Sequence, residues 1–366
     1  MKVTLPHVGT AWVPLKTFFD KHGVGCIVPP KNSNRTLSLG ARYSPDGICV
    51  PYKILLGNMV EALELGADTV IDVGGPGLCR LGYYAMLHEN ALKDMGFKFK
   101  MMVFDWQEDQ IIGVAKFLRK LVGEDVSWPE IVGDIKFGIQ QLILLDDLQK
   151  RAHYVRAREI TLGGATRFWQ TADQRVSKAQ TPAALKKVRE ELFAELNAIP
   201  IDNNANPLRV HILGEFYMVL EPFANMDLEE ELGKRGVEVT RAHYWTDWCK
   251  IWLFLELIGF SHGRKVKKNA QPYLSRDVSG HALQTVGETI MHQQDGFDGI
   301  IQVLPFTCMP EIVAQNILPK VTRDFQIPML SLVFDEQTGK AAFLTRLEAF
   351  IDLMKRRQTH RSAATA

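Results

Sequence analysis

Two long stretches of this chain alternate short apolar, β-branched runs with amphipathic segments, and the stretch between them carries almost no strand signal. No other feature restricts the fold as much. A strand followed by a helix returns the chain to the same edge of a sheet, so successive strands lie parallel with helices on the sheet faces. In the first stretch the strand signals are Lys2–Leu5, Gly25–Val28, Thr69–Val73 and Phe99–Phe104. Helix signals cover Trp12–Lys21, Arg35–Ala41, Tyr52–Leu65, Arg80–Leu92 and Gln110–Val122. Thr69–Val73 ends in Gly74-Gly75, the pattern of a buried parallel strand that runs into a sharp turn. In the last stretch, strands are predicted at Leu208–Leu213, Val237–Arg241, Gly299–Val303 and Met329–Val333. Helices are predicted at Leu228–Arg235, Trp245–Gly259, Gly280–Gln294, Pro310–Val321 and Ala341–Lys355.

From Trp128 to Ile199 the chain is dominated by Arg, Lys, Glu, Gln, Ala and Leu, which predicts three or four helices. DNNANP, residues 202–207, is a turn-rich hinge. The expected architecture is therefore α/β, with two Rossmann-like parallel-sheet lobes joined by a helical segment. Residues 1–125 form the first lobe, 126–206 the linking helices, 207–357 the second lobe, and 358–366 a disordered tail.

At 366 residues and 46% hydrophobic content the chain can bury two cores. A formal net charge of +1 gives no field for nucleic acid or an anionic membrane surface. No apolar run reaches the roughly 18 residues of a membrane span. Ile251–Phe260 is too short and contains Glu256. The N-terminus, MKVTLPHVGTAW, lacks the apolar block and small-residue cleavage site of a signal peptide. A cytoplasmic protein with no membrane or nucleic-acid partner is expected.

Three of the five cysteines lie in Gly- and Pro-punctuated motifs: Cys49 in SPDGICVPYK, Cys79 in GGPGLCRLGYY and Cys308 in LPFTCMPE. Two of these read Cys-x-Pro. Proline suits the first turn of a helix, so the cysteine before it stands at the positive helix end, where a thiolate is stabilised. Cys79 and Cys308 each follow a strand, at the carboxyl sheet edge where α/β proteins gather ligands. If the lobes face each other, the three can converge. Three thiolates suit an iron–sulfur cluster, or zinc with one further ligand. A buried cysteine is also commonly a small apolar core residue. That reading applies best to Cys26, in a strand, and Cys249, in an aromatic-rich helix.

Other polar residues fall at predicted strand ends. His7, in LPHVG, is either a proton or hydrogen-bond donor at the sheet edge or a structural turn histidine. Glu215, in GEFYMVLEP, is either a proton carrier or a loop anchor, and Glu221 lies in the same motif. Asp335, Glu336 and Thr338 either cap the next helix or contact a ligand. Arg80 can balance cluster charge, bind a phosphate or form a surface ion pair. Trp245, Trp248 and Trp252 read as a packing stripe, and Lys265, Lys267 and Lys268 as a solvated face. No GxxxxGK[ST] sequence is present, so this chain is not expected to be an ATPase.

Around these motifs the chain resembles the 2-hydroxyacyl-CoA dehydratase superfamily, and most closely its CoA protein activase, or acyl-CoA dehydratase activase-related, branch. The similarity is carried by KVTLPHVG, RTLSLGARYSPDGICVPYKILLGNMVEALELGADTV and GGPGLCRLGYY. It continues through LGEFYMVLEPFANMDLEEELGKRGVEV, GFDGIIQVLPFTCMPEIVAQNILP and FDEQTGKAAFLTRLEAFIDL. The resemblance implies a 4Fe–4S cluster held by Cys49, Cys79 and Cys308, and an ATP-dependent activator protein that injects a low-potential electron. It implies dehydration or reduction of an acyl-CoA-like substrate through a ketyl radical. From their places at strand ends, His7 and Glu215 are the candidate catalytic residues, and a homo- or hetero-oligomer is expected. An electron-relay or scaffold subunit of such a system, with no substrate of its own, is the alternative. The family's Gly-rich turn often reads GGCGPC or GGVGPC. Here it reads GGPGLC, with Pro76 and Leu78, so a fourth cysteine used by relatives at that turn is absent.

Overall fold

Eight parallel strands make two four-stranded sheets in the computed structural model, which describes residues 1–75, 79–105, 110–123, 125–250 and 262–365. The first sheet contains β1 (Lys2–Thr4), β2 (Gly25–Cys26), β3 (Thr69–Gly74) and β4 (Lys100–Asp105), in the order β2-β1-β3-β4. The second contains β5 (Leu208–Gly214), β6 (Val237–Arg241), β7 (Gly299–Pro305) and β8 (Met329–Phe334), in the order β6-β5-β7-β8. In each sheet the strand order reverses direction beside the first strand of the lobe, which opens a crevice at the carboxyl ends. The expected α/β architecture with two Rossmann-like lobes is present.

The chain divides into two compact units. One comprises Met1–Gln149, Trp169–Glu195 and Trp245–Gly259; the other comprises Lys150–Phe168, Leu196–Tyr244 and Phe260–Ala366. In the first, Val3, Phe19, Met102, Leu118, Leu121 and Ile131 form one apolar core. The Asn34–Arg42 helix packs on the Val50–Glu64 helix through Gly40 and Gly57; a Cβ at either glycine would overlap a backbone carbonyl of the facing helix. In the second unit every residue of β7 is buried, as a strand covered on both faces requires. Ala282, Val286, Ile290, Ala314, Leu318 and Val321 pack two of its helices together.

Several expectations change in detail. The helical middle consists of Trp128–Arg156, Gly164–Ser177 and Pro182–Asn197. Residues 126–206 are not one linking body but are shared between the two units. The last helix runs from Lys340 to Thr365, so residues 358–365 are helical where a disordered tail was expected. Arg, Gln and Ala there favour helix, and no glycine or proline stops it. Phe216–Leu220 is helical although FYMVL has strand-type composition. His262–Ala270, read as a basic run, is a helix. The Trp245–Gly259 helix is described over Trp245–Lys250; the rest, with Trp252 and the whole Ile251–Phe260 run, lies outside the described residues, as do Pro76 and Leu78. Among the described residues no helix is long and apolar enough to cross a membrane.

Candidate functional site

The three motif cysteines share one backbone position. Cys49 is the N-cap of the Val50–Glu64 helix (φ −66°, ψ 147°), and Cys308 is the N-cap of Met309–Phe325 (φ −71°, ψ 104°). Each is followed by proline in the first helical turn. Cys79 is the N-cap of the short 3₁₀ turn Arg80–Tyr83 (φ −73°, ψ 132°). Each cysteine therefore stands on extended backbone with the amide groups of a helical turn just beyond it. Cys49 and Cys79 belong to the N-terminal unit and Cys308 to the C-terminal unit.

In the N-terminal unit the two cysteine loops are joined. Arg80 Nη1 donates to the Gly47 carbonyl at 2.7 Å, tying the Cys79 turn to the loop ahead of Cys49. The Gly82 amide donates to Cys79 O, and the Gly75 amide donates to Gly82 O, both at 3.3 Å. A Cβ at Gly82 would collide with the Gly75 carbonyl, so only glycine lets this turn close. From the next helix, Tyr84 places its hydroxyl 2.6 Å from Cys49 Sγ. Lys53, one turn into the Cys49 helix, is buried and donates from Nζ to the Asp46 carbonyl at 3.3 Å, so its charge lies beside the same loop. Behind Tyr84, His88 stacks on Tyr52 at 4.2 Å between centroids and donates from Nδ1 to Asp72 Oδ2 at 2.7 Å.

His7 is buried just past the end of β1. Its Nε2 donates to the Pro29 carbonyl at 2.8 Å, and its backbone amide donates to Asn58 Oδ1 at 3.0 Å. Those bonds give it the turn-stabilising role.

In the C-terminal unit, Thr307 precedes Cys308 with φ at +68°. A β-branched residue there is strained by about 1–3 kcal/mol. The turn is held by the Cys308 amide, which donates to Pro305 O at 3.1 Å, and by the Phe306 amide, which donates to Phe334 O at 2.7 Å. One turn on, Glu311 is buried and accepts from Gln302 Nε2 (2.8 Å) and Thr285 Oγ1 (3.0 Å). Burial pushes its carboxyl up to about 7, and the nearby Glu215 charge adds to that; the two hydrogen bonds oppose it. Gln302 also donates to the Glu311 carbonyl (3.1 Å), which pins the helix start to β7.

Glu215 caps the Phe216–Leu220 helix, accepting from the amides of Tyr217 (3.1 Å) and Met218 (3.0 Å). Burial raises its carboxyl above the ordinary range in spite of those two bonds. The loop-anchor role is therefore occupied, by a side chain that burial also inclines to hold a proton. Next to it, His243 donates from Nε2 to the Gly214 carbonyl at 3.2 Å, and its ring lies 4.5 Å from that of His281. Burial lowers both imidazoles; at His243 the Glu288 charge and the Gly214 hydrogen bond oppose it, whereas at His281 repulsion from His243 adds to it and the ring falls to about 3. Both are neutral near pH 7.

Cys26 lies in β2 and Cys249 within the Trp245–Lys250 helix, neither at a helix start. Burial pushes their thiols up to about 12 and about 11, the signature of inert, apolar-environment cysteines. Asp335 and Thr338 close a turn ahead of the last helix: Thr338 Oγ1 donates to Asp335 Oδ1 at 2.8 Å and accepts from the Asp335 amide at 2.9 Å.

Sequence reasoning missed Tyr84, Lys53 and Glu311 as neighbours of the cysteine loops. Glu311 lies in the quoted CMPE motif and Tyr84 in GLCRLGYY, so both were in view without a spacing rule to single them out. Each cysteine offers a thiol sulfur with helix-start amides beyond it, and Cys49 has a hydroxyl beside it as well, the kinds of group that hydrogen-bond to ligand sulfurs.

The fold and these loops define a class: an α/β protein with two parallel-sheet lobes and cysteines at helix starts, two of them after strands. No family model matches the chain, and no curated protein matches it.

Proposed function

We propose that this chain is an iron–sulfur protein of the 2-hydroxyacyl-CoA dehydratase type, with one 4Fe–4S cluster held by Cys49, Cys79 and Cys308. Its electron donor is an ATP-dependent activator protein, and its chemistry is dehydration or reduction of an acyl-CoA-like substrate in the cytoplasm. The observation that carries this reading is the shared position of the three cysteines. All are N-caps on extended backbone with the amides of a helical turn just beyond, whereas Cys26 lies in β2 and Cys249 within the Trp245–Lys250 helix. When bound, such a cluster supplies a low-potential electron and, with three protein thiolates, one iron open to an oxygen ligand.

The chain's own groups then have defined tasks. Arg80 holds the Cys49 and Cys79 loops together, and Tyr84 donates a hydrogen bond to the Cys49 sulfur. Glu311, protonated in about half the molecules near neutral pH, is the carboxyl best placed in charge state to give or take a proton near the Cys308 turn. His7 and Glu215 keep their turns in shape.

One observation favours a second reading, an electron-relay or scaffold subunit with no substrate of its own. Both residues first expected to move protons are committed to backbone hydrogen bonds. The test of the main reading is iron and acid-labile sulfide quantitation on anaerobically purified protein, with EPR after reduction. Cys308→Ser should lose iron and Cys249→Ser should keep it. Colourless protein containing zinc would overturn both readings. A reduced-state EPR signal that shifts on adding an acyl-CoA selects the enzyme; an unchanged signal selects the relay.

A further inference from the structure

Within the C-terminal unit, His211, Glu288 and His292 bring their ligand atoms within 4.8 Å of one another. We propose that these three side chains form a binding site for a divalent first-row metal ion, zinc foremost.

His211 lies in the middle of β5 and is fully buried. Glu288 and His292 are one turn apart on the Ala282–Gln294 helix, the i, i+4 spacing that puts two ligands on one face. The His211 Nε2 and Glu288 Oε2 atoms are 3.3 Å apart. Two ligands at zinc bond lengths of about 2.0–2.1 Å, at the tetrahedral angle, stand about 3.3–3.4 Å apart. The His292 ring stacks on that of His211, 3.6 Å between centroids, and brings the third donor. Two imidazoles and one carboxylate form a donor set that suits zinc or ferrous iron and leaves an open coordination position.

The neighbours make this more than a coincidence of three polar groups. Thr240 faces His211 directly in the β5–β6 register, and its Oγ1 lies 2.7 Å from His211 Nδ1. In the metal-bound form Nδ1–H donates to that hydroxyl, which turns the Nε2 lone pair toward Glu288. Gln284 Nε2 donates to Glu288 Oε1 at 2.8 Å and leaves Oε2 on the His211 side. Each buried ligand thus has its far atom held by a polar neighbour and its near atom beside that of the other ligand, as outer-shell partners arrange metal ligands. His292 is only partly buried (18% side-chain exposure), which gives an ion a route in and lets the third ligand swing to meet it. The other cluster of this kind, His22, Glu130 and Asp134, already has the Lys21 ammonium on both carboxylates, so a cation's place there is taken.

The test is cobalt(II) titration of the full-length chain after chelation, read by absorption. The expected result is one ion with visible ligand-field bands and no near-ultraviolet thiolate-to-metal band, displaced by zinc. Glu288→Gln and His292→Ala should abolish that signal while far-UV circular dichroism and the thermal midpoint without metal stay unchanged. Thr240→Val should weaken binding by about 10–100-fold. Absence of cobalt binding, binding accompanied only by a thiolate band, or full binding by folded Glu288→Gln and His292→Ala proteins would each overturn the proposal. The readout does not depend on the cluster reading, because thiolate ligation has its own band.

Discussion

The phenolic oxygen of Tyr84 stands 2.6 Å from the sulfur of Cys49, a residue 35 positions earlier. The contact exists because the Cys79 turn hands the chain to the Tyr84–Asp94 helix, which lies against the Val50–Glu64 helix that Cys49 caps. A hydrogen bond to a ligand sulfur stabilises the more negative, reduced state of a cluster.

Tyr84→Phe should therefore move the midpoint potential of the bound cluster to lower values, on the order of tens of millivolts, with iron content unchanged. Redox titration monitored by EPR measures it. An unchanged potential would show that the hydroxyl does not donate to the sulfur.

Glu311 makes stability depend on pH in a direction opposite to most carboxylates. Its folded-state carboxyl is held at about 7 against an ordinary value of 4.5, so folding favours the protonated form. The stabilisation is complete below pH 4.5, falls as pH rises through about 7, and is then gone, a loss of about 3 kcal/mol. Glu311→Gln should flatten that limb, so the variant gains on the parent between about pH 4 and 8 in urea melts, roughly in line with that figure. Equal pH profiles for the two proteins would rule the assignment out.

Gly57 lets the Cys49 helix approach the Asn34–Arg42 helix backbone to backbone. Gly57→Ala places a methyl group against the Thr36 carbonyl, which cannot yield as a side chain end can. A loss of about 1–3 kcal/mol or more is expected, measured by chemical denaturation, with iron retention falling alongside because the helix start carries Cys49. A variant as stable as the parent would mean that the helices sit further apart than described.

Glu229 is a largely buried carboxylate in the C-terminal unit, its side chain 16% exposed. Burial alone would raise its carboxyl, but Arg241 and His153, each 2.9 Å away, overcome that and hold it well below the ordinary range. A depressed carboxyl contributes stability above its unfolded value and loses it as pH falls. Arg241→Met strands the charge and should cost about 3–5 kcal/mol at pH 7, with the difference narrowing in acid. Thermal melts at pH 7 and pH 4 check both halves of that expectation.

Strand and helix positions were legible because they are written in local periodicity. Trp12–Lys21, Gln110–Val122 and Val237–Arg241 have the bounds the pattern predicts, and every predicted strand is present. Phe216–Leu220 escaped because FYMVL has strand composition, and the Glu215 carboxylate cap, not propensity, makes it helical. The motif cysteines were legible as helix starts because Cys-x-Pro is a local signal.

Sequence alone determined two parallel-sheet lobes and motif cysteines at helix starts, two of them after strands, since hydrophobic period and proline position act over a few residues. Tertiary structure decided the environment of each group. It brings Tyr84 to Cys49, buries Glu311 beneath Gln302 and Thr285, and sets His211 opposite Glu288 and His292. Charge state, hydrogen-bond partner and metal geometry depend on residues tens of positions away, and only strand register and helix packing bring those residues together.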